Sequence, residues 1–362
     1  GARRATAPLD SRASRAYPVR TNPTRRARRA RPQATGRPTL TIRTTFAAAA
    51  LAALSVGPAI AAEWDMPTPY PEAEFHTRNV RQFVEDVAEA TDGELTINVH
   101  SAQSLFKHPE IKRAVQTGQV QIAEMLMANL LNENPIFGVD AVPFLASSYE
   151  DARALWDAQR PYVEAALEAD GLMLLYAVPW PGQGFYTKEA IAGPEDLEGV
   201  KFRTYNAATA QMAELMGAEP TIVEAVEIPQ AFSTGVVDAM VTSGATGVRS
   251  KAWDFSSHFY DLNAWLPKNM IFVNRRAFMQ LPEAQRTALL EAAEAAEARG
   301  WAMSEEIAGA TSAELEENGM TVSDGSDALV ARLQEIGETM TESWVEDAGA
   351  DGEALLESYR SE

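Results

Sequence analysis

The chain has 362 residues, 46% hydrophobic and 8% aromatic, so it is long enough for two globular domains and is not disordered throughout. Its formal net charge of −20 argues against nucleic acid and anionic membranes as partners, because like charges repel. The sequence contains no cysteine, which excludes disulfides, thiol nucleophiles and thiolate metal sites.

Charge is divided unevenly along the chain. Residues 1–43 hold twelve arginines and one acid, Asp10, which leaves 19 of the 31 basic and 50 of the 51 acidic residues for the remainder. Residues 44–60 are a short apolar segment, and Ala59-Ile60-Ala61 has the small-x-small form of a signal peptidase site. We therefore expect a disordered basic extension plus an export signal over residues 1–62, cleaved near Ala61. The apolar run is too short to predict a transmembrane anchor.

Helical and strand patterns alternate through the rest of the chain. Apolar spacing predicts helices at residues 73–90, 109–117, 148–170, 207–216, 229–234, 283–318 and 327–346. Alternating or continuous apolar runs predict strands at residues 94–100, 120–127, 172–178, 221–223, 235–244, 270–273 and 319–322, and within 196–206. This order is typical of an α/β protein with parallel sheets and right-handed crossovers.

The stretch Asp196–Asn206 predicts a strand that brings an arginine to the edge of a sheet. Apolar and basic residues alternate along Val200–Arg203, and Asn206 is suited to cap the following helix. Arg203 then stands at a strand's carboxyl end beside a helix amino terminus, where a carboxylate is favoured. This stretch alone leaves an anion site and a salt bridge equally open.

Other candidate ligand-binding residues follow the ends of predicted strands. The apolar strand at residues 172–178 runs into Pro179–Tyr186, a segment rich in Pro, Gly and aromatic residues that predicts a rigid loop at the ligand edge of the sheet. A hydrophobic contact between domains is the alternative for that loop. The candidates besides Arg203 are Trp180, Gln183, Phe185, Tyr186, Tyr205, Thr242, Ser243, Trp265 and Asn274.

The order of motifs over residues 64–345 resembles the DctP-type solute receptors of tripartite ATP-independent periplasmic (TRAP) transporters. The matching pieces are Thr91–Leu95 (TDGEL), Val115–Gly118 (VQTG), Pro143–Leu145 (PFL), Gly193–Arg203 (GPEDLEGVKFR), Gly235–Asp238 (GVVD), and Val273–Asn274 followed by Leu281–Pro282. The resemblance implies that Arg203 forms a two-pronged salt bridge with the ligand carboxylate. Arginine suits that role because its two parallel donors fix the plane of a carboxylate.

The resemblance also implies an α/β fold of the two-lobed periplasmic binding protein type (type II-like), with crossing strands and a long lobe-spanning helix. We expect lobe 1 to comprise residues 63–186 with about 275–312, and lobe 2 residues 187–274 with about 313–362. The implied function is a periplasmic solute receptor that closes over an organic acid and delivers it to the membrane subunits of a TRAP transporter. We expect a monomer without cofactor, metal or enzyme activity.

Two departures from the family pattern bear on the ligand. Many members have a second arginine where this chain has Gly182–Tyr186, and an asparagine where it has Thr242 and Ser243. Aromatic and hydroxyl groups replace these polar residues. We expect a monocarboxylate with an apolar, aromatic or modestly hydroxylated body, rather than a dicarboxylate or a sugar acid.

Two other functions are left open by the sequence. An exported lyase or hydrolase on a two-lobed scaffold would need a titratable pair beside Arg203, which the sequence does not display. A periplasmic scaffold without a small ligand would have protein side chains filling the same edge. The four histidines show no metal-binding spacing, and each is expected at a loop or surface position.

Overall fold

The computed structural model describes residues 61–361. The predicted basic extension and the export signal up to residue 60 lie outside the described residues. The strands are Ala62–Pro67 (β1), Leu95–His100 (β2), Ile122–Leu126 (β3), Leu172–Pro179 (β4), Gln183–Thr187 (β5), Lys201–Thr204 (β6), Glu219–Ile222 (β7), Ala239–Ser243 (β8), His258–Tyr260 (β9), Lys268–Asn274 (β10) and Thr321–Ser323 (β11).

Seven of the nine described α-helices lie where the apolar spacing predicts them; those at Gly244–Ser250 and Arg275–Gln280 were not predicted, and the last helix continues past its predicted end at residue 346. They are Phe75–Ala90 (α1), Ile111–Gln116 (α2), Tyr149–Ala169 (α3), Ala207–Leu215 (α4), Ile228–Ser233 (α5), Gly244–Ser250 (α6), Arg275–Gln280 (α7), Glu283–Glu317 (α8) and Asp327–Ser361 (α9). None of the helices between residues 61 and 361 has the length and apolar character needed to cross a membrane.

The strands form three sheets that divide the protein into two lobes. The first lobe is built on the parallel pair β1–β2 and on a three-stranded sheet of order β3-β10-β4, and the second on a six-stranded sheet of order β11-β9-β5-β8-β6-β7. Apolar side chains cover both faces of the larger sheet in each lobe, so each lobe has its own core. The predicted two-lobed α/β fold is confirmed.

Two connections cross between the lobes side by side. β4 leads to β5 through Trp180–Gly182, and β9 leads to β10 through Asp261–Pro267. β4 pairs with β10 in the first lobe, and β5 pairs with β9 in the second, both antiparallel. The backbone N–H of Trp180 donates to the carbonyl of Pro267 at 2.8 Å and so continues the pairing beyond the sheet.

Two long helices also join the lobes. Leu289 of α8 packs in the first lobe's core and Leu315 in the second's. α9 runs from the second lobe to the first, with Leu333 in the second lobe's core and Leu355 in the first's. It contains a non-helical break at Gly349 (φ 60°). The predicted lobe-spanning helix is therefore present as α8, and α9 is a second one.

Strand pairing departs from the predicted lobe boundaries at the crossing. Gln183–Tyr186, expected at the end of lobe 1, lies in β5 of the six-stranded sheet, and β10, expected in lobe 2, is the central strand of the first lobe. β10 also runs antiparallel to both of its neighbours, where parallel strands were expected. The chain passes from one sheet to the other between β4 and β5 and again between β9 and β10, so lobe boundaries based on contiguous stretches of sequence fail at these crossings.

Candidate functional site

A cavity of about 450 Å³ lies where the two crossing connections pass between the lobes. Six of the ten candidate residues line the cavity: Trp180, Gln183, Arg203, Tyr205, Thr242 and Ser243.

Strand direction explains why these residues meet. β6 and β8 are parallel, so their carboxyl ends bring Arg203 and Ser243 to one edge of the second lobe's sheet. β5 is antiparallel to β8 and contributes its amino end, where Gln183 pairs with Ser243. In the first lobe, the last residue of β3, Leu126, and the residue before β10, Pro267, meet at the cavity for the same reason.

Arg203 is a buried cation held from behind by the backbone. Its side chain Nε donates to the carbonyl of Val223 at 2.9 Å and Nη1 to that of Val241 at 3.1 Å. Within residues 61–361, no other acceptor is hydrogen-bonded to the guanidinium and no carboxylate lies within 4.0 Å of it. Burial lowers the pKa of Arg203 to about 10, so the group stays charged at neutral pH. A buried charge that no protein group neutralises is a site for an anion.

A chain of hydrogen bonds orients the side chains next to Arg203. The indole N–H of Trp265 donates to the Tyr205 hydroxyl at 3.1 Å, and that hydroxyl donates to Gln183 Oε1 at 3.3 Å. Gln183 Nε2 in turn donates to the carbonyl of Pro181 at 2.9 Å. The guanidinium carbon of Arg203 lies 5.3 Å from the centre of the Tyr205 ring, which places the aromatic face beside the cation.

Two aromatic side chains from the first lobe and the crossing form another wall. The Tyr70 hydroxyl and the Trp180 indole N–H both donate to Asn269 Oδ1, at 3.0 and 2.9 Å. Asn269 Nδ2 donates to Oε1 of Glu124 at 3.0 Å. Glu124 is fully buried, and burial raises its pKa to about 7. This layer fixes the two rings, since each polar tip has a partner.

A hydrogen-bonded pair from opposite lobes also lines the cavity and was not among the predicted residues. Glu224 Oε2 lies 3.4 Å from Nδ1 of His108. His108 is buried, contrary to the expected loop or surface position, and its Nε2 accepts the backbone N–H of Leu126 at 3.2 Å. Glu224 follows β7, which is parallel to β6, so its position after a strand end next to Arg203 was a usable signal in the sequence. Tyr70 and Asn129 also line the cavity and gave no such signal.

Two candidate aromatic residues of β5 lie outside the cavity. Phe185 is fully buried in the second lobe's core against Phe202, with ring centres 5.2 Å apart. Tyr186 is on the opposite face, stacked on Phe259 at 4.4 Å, and its hydroxyl donates to the Ser243 carbonyl at 3.3 Å. The cavity meets only the start of β5, so residues further along the strand are already inside the lobe.

Trp265 and Asn274 also lie outside the cavity lining. Trp265 is behind Tyr205 and orients its hydroxyl. Asn274 is at the far end of β10, where its Oδ1 caps α7 through the N–H of Ala277 at 3.1 Å and its Nδ2 donates to the Val115 carbonyl at 2.9 Å. β10 runs antiparallel to β3 and β4 and turns its amino end to the cavity, so Asn274 at its carboxyl end lies away from the site.

The cavity lining offers one cation together with several hydrogen-bonding groups. Arg203 is the one lysine or arginine among the described residues that line it. In the part of the chain that the structure describes, no group of three or more His, Asp or Glu side chains converges in a way that could hold a metal ion.

Comparison with known proteins agrees with this architecture. The family described as bacterial extracellular solute-binding protein, family 7 (DctP) matches residues 69–347. The crystal structure of DctP7, a Bordetella pertussis extracytoplasmic solute receptor binding pyroglutamic acid, is 48% identical with a TM-score of 0.82, covering 83% of this chain and 100% of that chain.

Two further relatives support the same assignment. A marine metagenome TRAP solute-binding protein specific for pyroglutamate is 44% identical with a TM-score of 0.81, covering 83% of this chain and 99% of that chain. The C4-dicarboxylate-binding periplasmic protein DctP of Rhodobacter capsulatus is 26% identical over 225 residues, which is 59% of this chain and 66% of that protein. The chain belongs to the bacterial extracellular solute-binding protein family 7 and is a TRAP solute receptor.

Proposed function

We propose that this receptor captures a small monocarboxylate of the pyroglutamate kind in the cavity around Arg203. The observation that carries the proposal is the buried guanidinium, which is held by two backbone carbonyls and has no carboxylate partner among residues 61–361. The remaining hydrogens of Nη1 and Nη2 match the two oxygens of one carboxylate. The two relatives at 44% and 48% identity, whose ligand is pyroglutamate, support this choice.

The rest of the cavity favours one carboxylate over two. The second charged group of the lining is Glu224, which repels a second ligand carboxylate. Trp180 and Tyr70 offer flat apolar surface to a small ring, and the Thr242 hydroxyl lies at the same edge as Arg203. This set of groups suits a compact ring acid better than an extended dicarboxylate.

The proposed mechanism is binding without chemistry. The acid enters between the lobes, Arg203 fixes its carboxylate, and closure of the lobes presents the loaded receptor to the membrane subunits of a TRAP transporter. The ligand shifts the equilibrium toward the closed state by its higher affinity for that state. The proposal includes export to the periplasm and action as a monomer.

An exported lyase or hydrolase is the competing function, and the His108–Glu224 pair is the titratable pair that it required. Both ring nitrogens of His108 are engaged, however. A backbone N–H can only donate, so Nε2 is the acceptor toward Leu126 and Nδ1 carries the proton that faces Glu224. An imidazole without a free lone pair cannot take a proton from a ligand, and we therefore favour binding.

Substitution of Arg203 tests the proposal. We expect Arg203→Lys to weaken pyroglutamate binding by roughly a hundredfold, because an ammonium cannot keep both backbone carbonyls and also present two parallel donors. Isothermal titration calorimetry with pyroglutamate and succinate measures the effect. Arg276→Lys, at an exposed position on α7, is the matched control and should bind like the wild type. Unchanged affinity in Arg203→Lys, or tighter binding of succinate by the wild type, would contradict the proposal.

A further inference from the structure

Glu224 reaches from the second lobe toward the first without pairing with Arg203. It lies in the loop after β7, and its neighbour Val223 supplies the carbonyl that holds Arg203 Nε. Both side chains line the cavity, yet within the described residues no oxygen of Glu224 is within 4.0 Å of the guanidinium. The two opposite charges therefore face the same cavity with space between them.

The two oxygens of Glu224 have different surroundings. Oε2 faces the first lobe, 3.4 Å from both His108 Nδ1 and Gln103 Nε2. Oε1 has no hydrogen-bond donor among residues 61–361, and the side chain, which lines the cavity, is 26% exposed. Because His108 Nε2 accepts from a backbone N–H, Nδ1 is the donor, and the imidazole holds Oε2 in place. One acceptor oxygen is thus fixed, and the other belongs to a side chain that lines the cavity and has no donor among the described residues.

We propose that Glu224, positioned by His108, selects acids that carry an N–H group next to a single carboxylate. The inference rests on the proposed capture of a monocarboxylate by Arg203. A ligand N–H near Oε1 gains a charge-assisted hydrogen bond, whereas an ether or ester oxygen at that place meets a carboxylate with no hydrogen to share. A second carboxylate at that place meets a like charge in a partly buried site.

The lining supports this assignment in two ways. Burial raises the pKa of Glu224, but the hydrogen bond from His108 and the charge of Arg203 outweigh it and lower the pKa, so the carboxylate is ionised at neutral pH. Asn129 also lines the cavity; its Nδ2 lies 3.3 Å from His108 Nε2, and its Oδ1 is a buried atom with no hydrogen-bond partner among the described residues. The ionised Glu224 and this unpaired amide oxygen favour a hydrogen-bond donor on the ligand.

A matched pair of ligands tests the inference directly. The probes are pyroglutamate and 5-oxotetrahydrofuran-2-carboxylate, the lactone with oxygen in place of the N–H, measured by calorimetry. We expect the wild type to prefer the lactam by about tenfold or more, as for a hydrogen bond to a charged group. In Glu224→Gln the preference should fall to about threefold or less. Glu227→Gln, an exposed carboxylate three residues further on, is the matched control and should keep the wild-type ratio.

Glutarate and a His108 variant add readouts that general damage to the cavity cannot mimic. Glu224→Gln should bind glutarate more tightly than the wild type does, because a like charge has been removed. His108→Gln should lower the lactam-to-lactone ratio, since His108 acts through Glu224.

The possible results separate the two proposals. Equal ratios in the wild type and Glu224→Gln, with both acids bound, would overturn the role of Glu224 and leave the monocarboxylate receptor intact. Failure of the wild type to bind either acid would overturn the proposed function, and the role of Glu224 with it.

Discussion

Glu124 is a carboxylate with no exposed surface in the layer behind the cavity wall. Its oxygens accept from the Thr68 hydroxyl and from Asn269 Nδ2, and Asn269 in turn receives the polar tips of Tyr70 and Trp180. Burial raises its pKa to about 7, and the two hydrogen bonds only partly oppose that effect. The ionised form of Glu124, the residue that organises the aromatic wall, is therefore disfavoured.

The raised pKa of Glu124 makes the free energy of unfolding depend on pH. The folded pKa lies above the ordinary value of 4.5, so the folded state binds more protons between the two values. The contribution of Glu124 to the free energy of unfolding is fully present below about pH 4.5 and is lost as the pH rises to about 7. Its total is on the order of 3 kcal/mol. Urea unfolding at several pH values should show the stability of the wild type falling relative to Glu124→Gln across this range. Exposed Glu306→Gln is the control, and a pH-independent difference between wild type and Glu124→Gln would contradict the argument.

At the residue scale, the sequence predicted Arg203 because chemistry and position coincided there. Arg203 belongs to the basic face of an alternating strand and lies near the carboxyl end of that strand. In the structure it is buried, whereas Lys201 on the same face is exposed. His108 could not be found in this way. Its place in the cavity depends on Leu126 and Glu224, which are distant in sequence and belong to different sheets.

Element direction accounts for the errors in the candidate site. Apolar periodicity predicted most of the helices and strands but missed some, among them α6, α7 and β9, and it carries no information on whether a strand runs parallel or antiparallel. Asn274 was placed by the rule for parallel strands, whereas the antiparallel β10 turns its amino end to the cavity. Gln183 lies at the cavity for the same reason, at the amino end of antiparallel β5.

Helix α8 contains two glycines, Gly300 and Gly309, and continues through both. A Cβ on Gly300 would overlap Val178 and come within 2.7 Å of Asn79 Nδ2, so the missing side chain allows close packing on β4 and α1. A Cβ on Gly309 would meet nothing within 4 Å. The two positions therefore differ in environment although both are helical.

Alanine at each position tests this difference. We expect Gly300→Ala to destabilise the protein by about 1–3 kcal/mol through overpacking. Gly309→Ala should stabilise it by roughly 0.5–1 kcal/mol, because alanine has the higher helix propensity and space is available. Each variant is the other's control in urea denaturation. The same sign of change in both would mean that packing against β4 does not distinguish them.

At the scale of the whole molecule, two polar contacts with a carboxylate join the lobes within the described residues. Besides Glu224 with His108, Glu74 at the amino end of α1 accepts from Arg249 Nε of α6 at 2.7 Å. Both partners are largely buried, with side-chain exposures of 3% and 13%. Burial raises the pKa of Glu74, and the charge of Arg249 opposes this effect. The order of the motifs predicted two lobes, but their contacts depend on closure geometry that the sequence does not contain.

Removal of Arg249 should shift the balance between open and closed lobes. In Arg249→Met the buried Glu74 carboxylate loses its partner, which costs about 3–5 kcal/mol for a retained charge and favours separation of the lobes. Apparent ligand affinity should fall with the closed population, and small-angle scattering should show a larger radius of gyration at equal ligand concentration. The double variant Glu74→Gln, Arg249→Met should recover part of the affinity. Arg275→Met removes an exposed pair within the first lobe and should change neither quantity. Equal affinities in the wild type and Arg249→Met would show that this pair does not couple closure to binding.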